Sequence, residues 1–168
     1  HAKLLMVARR ESDGIRRYCH LGTGNYHSRT ARTYTDYGLF TCAPDIGQDV
    51  HEIFLPLTSL TRTPRLSVLL QSPFELQRAM ITKLDREASH AALGKPGRVI
   101  LKMNSLVERE AIDALCRASQ AGVQIDLIVR GVCALRPGVA GLSDNIRVRS
   151  VIGRFLEHSR VFYFANDD

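Results

Sequence analysis

Residues 99–129 read VILKMNSLVEREAIDALCRASQAGVQIDLIV, and this stretch predicts a strand, a helix and a second strand. Residues 99–103 and 124–129 are short apolar runs of the kind found in strands buried on both faces. Between them, residues 108–120 carry apolar side chains at helical spacing, and Gly122 ends that pattern. Strand, helix and strand joined by short loops are typical of an α/β domain with a largely parallel sheet.

Further elements flank this unit on both sides. Ser72-Pro73-Phe74-Glu75 has the form of a capped helix start with proline at the first helical position, and it predicts a helix that runs to about Leu93. Residues 146–152 and 160–164 are strand-like. The region after residue 65 is therefore predicted to alternate helices and strands.

The first part of the chain predicts a hairpin followed by a helix. Residues 4–8 form a continuous apolar run, a turn follows at residues 12–14, and residues 15–21 can pair back. Residues 37–42 are strand-like, and residues 45–57 have a helical period.

Residues 58–65 (TSLTRTPR) are polar and contain Pro64, which makes them the best candidate for a domain boundary. We therefore divide the chain into residues 1–62 and residues 63–168. The chain begins at a histidine and ends directly after an apolar strand, so we expect it to be a segment of a longer protein.

Composition favours a globular domain with a polyanionic partner. Of the 168 residues, 45% are hydrophobic, and 23 Lys and Arg against 17 Asp and Glu give a net charge of +6. This balance favours phosphates, nucleic acid or an anionic membrane surface, although an inert basic surface fits equally well. No apolar stretch approaches the ~20 residues of a membrane span, and no signal peptide is visible.

The four cysteines show no zinc-like spacing, and we interpret them as reduced thiols in a cytoplasmic protein. Cys19, His20 and His27 lie together in the sequence, but adjacent Cys and His lack the usual ligand spacing, so no metal site is predicted there.

Two histidines are followed, two places on, by a cation and then by an apolar run. The pairs are His1 with Lys3 and His158 with Arg160. Because alternate strand residues share a face, each imidazole projects beside a cation. Such a pair suits phosphoryl chemistry, in which the cation holds phosphate oxygens while the imidazole attacks phosphorus or moves a proton.

Other candidate site residues are cationic, aromatic or glycine-rich. The loop Gly22-Thr23-Gly24-Asn25 could cradle a phosphate, or it could be a plain tight turn. Arg29, Arg32, Tyr34 and Tyr37 mix cations with aromatic rings, which fits either phosphate and base binding or a solvated loop. Arg130 lies at the carboxyl end of a predicted strand, where open α/β sheets place ligands.

A His-x-Lys motif followed by Gly-Thr-Gly-Asn resembles the phospholipase D superfamily. That superfamily's pattern has an aspartate seven places after each histidine, and this chain has Ala8 and Ala165 there. The lipase and nuclease branches therefore fit poorly.

Longer stretches are similar to bacterial polyphosphate kinases over nearly the whole chain: HAKLLMVARRE, RRYCHLGTGNYHSRTARTYTDYGL, and LIVRGVCALRPGVAGLSDNIRVRSVIGRFLEHSRVFYF. This resemblance implies a phospholipase D-like α/β/α sandwich. Residues 1–62 would be the C-terminal part of one catalytic domain, and residues 63–168 most of a second, pseudo-duplicated one.

The resemblance implies reversible transfer of the terminal phosphate of ATP to inorganic polyphosphate through a phosphohistidine on His1. Lys3 and His158 would complete the catalytic set, with His158 also a proton donor to the leaving group, and Tyr34, Arg130 and His158 would bind ATP. Weaker expected phosphate contacts are Asn25, Arg29, Arg32 and Arg160. Magnesium would be held mainly by phosphates and by residues outside this segment, so no metal ligand is assigned.

The resemblance further implies ATP or ADP and polyphosphate as partners, self-association into a homo-oligomer, no nucleic acid, and a cytoplasmic location that can include contact with a membrane surface. Two alternatives stay open at this point. A phospholipase D-type phosphodiesterase or nuclease would cleave a diester without ATP. A non-enzymatic basic module that binds nucleic acid would be unaffected by loss of His1.

Overall fold

The computed structural model describes residues 2–58 and 65–166, which contain nine strands and four helices. In chain order they are β1 (Leu4–Glu11), β2 (Gly14–Gly22), α1 (Ser28–Ala31), β3 (Tyr34–Thr35), β4 (Gly38–Thr41), α2 (Pro44–Thr58), α3 (Leu76–Ala92), β5 (Arg98–Met103), α4 (Arg109–Gln120), β6 (Gln124–Val129), β7 (Ile146–Arg149), β8 (Leu156–Glu157) and β9 (Val161–Phe164). The strands form three sheets in the orders β1-β2-β4, β3-β8 and β7-β6-β5-β9.

The first sheet is the predicted hairpin with one more strand. β1 and β2 are antiparallel with Val7 opposite Tyr18, and β4 joins the other edge of β2. Gly14 at the turn has φ +129°, a conformation that a side chain disfavours. The hairpin prediction is therefore confirmed.

Helix α2 covers one face of this sheet. Cys19 of β2 is 3% exposed, and Val50 of α2 is fully buried. A Cβ at Gly47 would lie 3.1 Å from the Cβ of Arg17, so glycine lets the helix approach the strand closely. The predicted helix at residues 45–57 is confirmed within one residue at each end.

The four-stranded sheet β7-β6-β5-β9 contains the predicted strand-helix-strand unit. β5, β6 and β7 are parallel, and β9 runs antiparallel beside β5. Alternate residues of β5 and β6 pack against α3 and α4 in one apolar core, which includes Val99, Leu101, Ile125 and Leu127. In the described part of the chain both helices lie on this one face, so the expected α/β/α sandwich stays a prediction, while the mixed α/β class is observed.

Two sequence predictions in this half are wrong in detail. Ser72-Pro73 is a cis peptide within turns, and α3 begins only at Leu76, where Glu75 provides no side-chain cap. The predicted helix start failed because residues 72–75 form turns, so the first helical residue is Leu76 and not Pro73. β7 ends at Arg149 instead of residue 152, and residues 150–155 form no strand.

A buried carboxylate joins the two parts of the chain, residues 1–62 and residues 63–168, which we call its two halves. Asp49 of α2 is 2% exposed and accepts hydrogen bonds from the backbone amides of Ser67 (2.9 and 3.1 Å), Val68 (2.7 Å) and Leu69 (2.8 Å), and from the Ser67 hydroxyl (3.1 Å). Burial alone would raise the pKa of this carboxyl, but the amide donors outweigh burial and lower it. Most of the predicted boundary, residues 59–64, lies outside the described residues.

A second connection is the pairing of β3 with β8. Tyr34 pairs with Leu156 and Thr35 with Glu157 in parallel, although each strand has only two residues. The amide of Leu156 also donates to the carbonyl of Thr33 (2.8 Å). This pairing brings residues near Tyr34 beside residues near His158.

We expect Asp49→Ala to lower the free energy of unfolding by about 1–3 kcal/mol, because it leaves amides of residues 67–69 without their acceptor. The wild-type contribution should be present above about pH 4, the ordinary carboxyl range, and should disappear as the pH falls through the lowered pKa of Asp49. Urea denaturation at a series of pH values measures both effects.

The matched control is Asp113→Ala, which removes an exposed ion pair with Arg109 on α4. It should cost no more than about 0.5 kcal/mol. Equal losses of stability in the two variants, or an effect of Asp49→Ala that does not change with pH, would contradict this role of the Asp49 carboxylate.

Candidate functional site

His158 lies directly after β8 and is half-buried. Its ring lies 5.9 Å from the ring of Tyr34, centroid to centroid, at an interplanar angle of 59°. The Nδ1 atom of His158 is buried, and no described residue hydrogen-bonds it. The pairing of β3 with β8 thus places one aromatic ring and one imidazole with an unpartnered nitrogen side by side.

The charges around His158 are mostly positive. Burial is the largest cause that lowers the pKa of His158, followed by repulsion from Arg160, Arg130 and Lys3. Asp36 acts in the opposite direction. The two predicted histidine–cation motifs therefore meet at least in part, because Lys3 of the first acts on His158 of the second.

Arg130 is held at the end of β6, as its sequence position predicts. Its backbone amide donates to the carbonyl of Met103 (3.2 Å), and its Nη2 donates to Oδ1 of Asn104. Its Nη1 atom is buried with no partner among the described residues. The guanidinium is thus oriented by one bond and keeps a second donor for a ligand.

A cleft of about 330 Å³ opens between the two halves at this point. Tyr34 lines it from the first half, and Arg130 and residues 151–157 line it from the second. This volume lies at the lower end of the range for small-molecule sites. Two cavities of about 510 Å³ flank α3, and neither contains Tyr34, Arg130 or His158.

The loop Gly22-Thr23-Gly24-Asn25 contacts Asp36 and Tyr37, through hydrogen bonds and one close approach. The Thr23 amide donates to the Tyr37 carbonyl (3.0 Å), and the Tyr37 amide donates to the Thr23 hydroxyl (2.9 Å). A Cβ at Gly24 would collide with the carboxylate of Asp36. Glycine at this position therefore makes room for Asp36, a role that the sequence alone did not suggest.

The remaining predicted residues are not all brought together. His1 lies outside the described residues. Asn25, Arg29 and Arg32 are exposed, and no interaction among the described residues connects them to His158, so their phosphate contacts stay predictions. Arg160 lies beside the site, where its Nη1 donates to the carbonyl of His158 (3.0 Å).

Sequence reasoning missed two residues near this cleft. Asn104 directly follows β5 as Arg130 follows β6, so the same carboxyl-end argument could have found it. Asp36 carried no such signal, because its proximity to Gly24 and His158 depends on how residues 23–37 fold back.

Residues 2–58 and 65–166 contain no group of three or more His, Cys, Asp or Glu side chains that could hold a metal ion. Magnesium held mainly by phosphates stays a prediction. In the same part of the chain no helix is long and apolar enough to cross a membrane.

Two family models match the chain. The model for polyphosphate kinase C-terminal domain 1 matches residues 1–63, and the model for polyphosphate kinase C-terminal domain 2 matches residues 69–168. Together the two models account for most of the sequence.

Individual relatives agree with these models. Polyphosphate kinases of Xylella fastidiosa (strain Temecula1) and of Neisseria meningitidis serogroup B are each 58% identical to the chain over 167 residues, which is 99% of this chain and 24% of theirs. The crystal structure of polyphosphate kinase from Porphyromonas gingivalis is similar with a TM-score of 0.88 and 39% identity, over 99% of this chain and 26% of that one. The chain thus spans about a quarter of the length of these relatives.

Arg160→Gln should raise the pKa of His158, because it removes the first of the three cations that disfavour the imidazolium. The pKa should remain below the usual ~6.5, since burial is unchanged. Histidine-selective NMR titration measures it. Arg109→Gln on the exposed surface of α4 is the control and should leave the titration unchanged, whereas an unchanged or lower pKa in Arg160→Gln would contradict the proposed charge environment.

Proposed function

The chain belongs to the polyphosphate kinase family, and we propose that it supplies nucleotide-binding and phosphoryl-transfer residues to a kinase that moves the terminal phosphate of ATP onto inorganic polyphosphate, reversibly. The observation that carries this proposal is the cleft between the two halves. Tyr34 and Arg130 line it from separate parts of the sequence. His158 directly follows Glu157, another lining residue, and its ring lies 5.9 Å from the ring of Tyr34.

The charge pattern of the cleft supports a phosphate ligand. Arg130, Arg160 and Lys3 act together on one imidazole, with Asp36 opposing them, so a bound polyanion would relieve their repulsion. Buried nitrogens of Arg130 and His158 lack partners among the described residues. Buried polar atoms are normally hydrogen-bonded, so these two nitrogens favour a polar ligand, and the Arg130 donor in particular favours phosphate oxygens.

In this proposal Arg130 binds phosphate oxygens of ATP through its free Nη1, while Asn104 fixes the plane of the guanidinium. Tyr34 presents an aromatic ring and a hydroxyl to the same cleft. Both residues lie on or directly after a strand, which restricts their motion and holds the nucleotide in one orientation.

His1 is the proposed nucleophile, on the strength of the family resemblance. A ring nitrogen of His1 attacks the terminal phosphorus of ATP, the bond from that phosphorus to the bridging oxygen breaks, and ADP leaves. A terminal oxygen of polyphosphate then attacks the phosphohistidine and frees the imidazole. Splitting the transfer in this way means that two polyanions need not occupy the site together. Lys3 offsets charge on the phosphoryl group during both steps.

His158 is the proposed proton donor to the leaving phosphate. In the free site the lowered pKa keeps its imidazole mostly neutral at pH 7. A bound triphosphate adds negative charge beside Arg130 and Arg160, which raises the pKa of a neighbouring imidazole. His158 would therefore take up a proton when the nucleotide binds and give it to the bridging oxygen as ADP leaves.

The net charge of +6 fits a substrate that carries about one charge per phosphate. Self-association, a cytoplasmic location and contact with a membrane surface stay predictions of the family resemblance.

The direct test is phosphorylation of the full-length protein with ATP labelled on its terminal phosphate, in the presence of magnesium. We expect acid-labile, base-stable label that disappears in His1→Gln, because phosphohistidine has that stability and the variant lacks the nucleophile. His158→Ala should form the label much more slowly, by about 10²- to 10⁴-fold if it loses a proton donor.

Label that persists in His1→Gln would move the nucleophile to another residue, most simply His158. If no version is labelled although ATP binds, the kinase proposal fails and a phosphodiesterase assay without nucleotide becomes the next measurement.

A further inference from the structure

Lys102 is a charged residue on β5, an inner strand of the four-stranded sheet. It occupies the fifth position of β5, between Leu101, which is 2% exposed, and Met103, which packs against the core. Its side chain emerges on the face opposite α3 and α4 and is only 16% exposed. An ammonium group at such a site needs partners, because burying a charge without them is costly.

Both partners of Lys102 are immediate neighbours of His158. Its Nζ donates to Oε2 of Glu157 (2.8 Å) and to the hydroxyl of Ser159 (2.5 Å). The Glu157 side chain is 22% exposed and Ser159 is 2% exposed, so both bonds are largely shielded from water. The hydrogen bond from Lys102 is the largest cause that lowers the pKa of Glu157, followed by a hydrogen bond from Thr35, so the carboxylate form of Glu157 is favoured.

Two bonds from one ammonium group hold the chain on either side of His158. Alternate residues of an extended chain point to the same side, so fixing Glu157 and Ser159 toward Lys102 leaves His158 facing away from the sheet. On that side lies the ring of Tyr34. β8 adds a second restraint through its pairing with β3.

Lys102 differs from the cations that act on His158. Its charge is neutralised by Glu157, and it is not among the groups that shift the pKa of His158. Arg130, by contrast, keeps an unpartnered nitrogen. The contacts of Lys102 therefore suit holding the segment better than binding phosphate.

We propose that Lys102 is a positioning residue, which fixes residues 157–159 so that the imidazole of His158 stays beside Tyr34 and Arg130. The inference rests on the proposed function of His158. It assigns to the Lys102–Glu157–Ser159 group a role in the rate of phosphoryl transfer that is separate from substrate binding.

The test uses the full-length enzyme and compares Lys102→Met, which keeps the length of the side chain but removes its donors, with Lys102→Arg, which keeps a charge and donors. Lys102→Met should lower kcat by about 10- to 100-fold, since a shift of about 1 Å in a reacting group costs that much. KM for ATP should change by less than about threefold, because Nζ of Lys102 is bonded to Glu157 and Ser159 and Lys102 does not line the cleft. Lys102→Arg should recover part of kcat.

A double-mutant cycle separates positioning of His158 from general damage. When His158→Ala is already present, Lys102→Met should cause no further loss of kcat, because the group it positions is gone. Equal losses with and without His158 would overturn the proposal. Normal activity in His158→Ala alone would instead overturn the proposed function of His158, which is a separate outcome.

Asp126→Asn is the matched control, because it breaks the ion pair between Asp126 and Arg98 on the same sheet without touching residues 157–159. It should leave kcat within about twofold of wild type while lowering stability. If Lys102→Met does not fold, Glu157→Gln and Ser159→Ala each remove part of the same group and should each lower kcat by about 3- to 10-fold. Unchanged kcat in folded Lys102→Met, or in both of the milder variants, would contradict the assignment.

Discussion

The site depends on backbone hydrogen bonds between two halves of the chain that are far apart in sequence. β3 and β8 pair over only two residues each, yet this pairing is what places Tyr34 beside His158. So short a ladder has little stability of its own. The Asp49 carboxylate, which holds the amides of residues 67–69 against α2, supplies a second and buried restraint on the same arrangement.

Positive charges lie around a half-buried imidazole next to the cleft. Repulsion of the imidazolium by Arg130, Arg160 and Lys3 is unfavourable in the free protein, and the attraction of a bound polyanion for these cations would offset it. Lys102, paired with Glu157, stands apart from this group and stabilises the segment that carries His158. In our proposals, one set of cations binds the phosphates, while Lys102 holds the segment that carries His158.

The sequence predicted the regular elements well and their long-range contacts poorly. Residues 99–129 have clear periodicity, and Arg130 could be located from the end of a strand alone. β3 and β8 are too short to show any period, and residues 72–75 form turns although in isolation they have the pattern of a capped helix start. Lys102 looked like an ordinary strand residue, because its partners lie 55 and 57 positions away in the chain.

The central claim is that both halves contact one nucleotide, and a crystal structure of the full-length protein with a non-hydrolysable ATP analogue tests it most directly. The account predicts that the triphosphate lies in the cleft, in contact with Arg130 and His158, with Tyr34 against the same molecule. A nucleotide bound to one half alone, with Tyr34 and Arg130 not sharing it, would contradict the account.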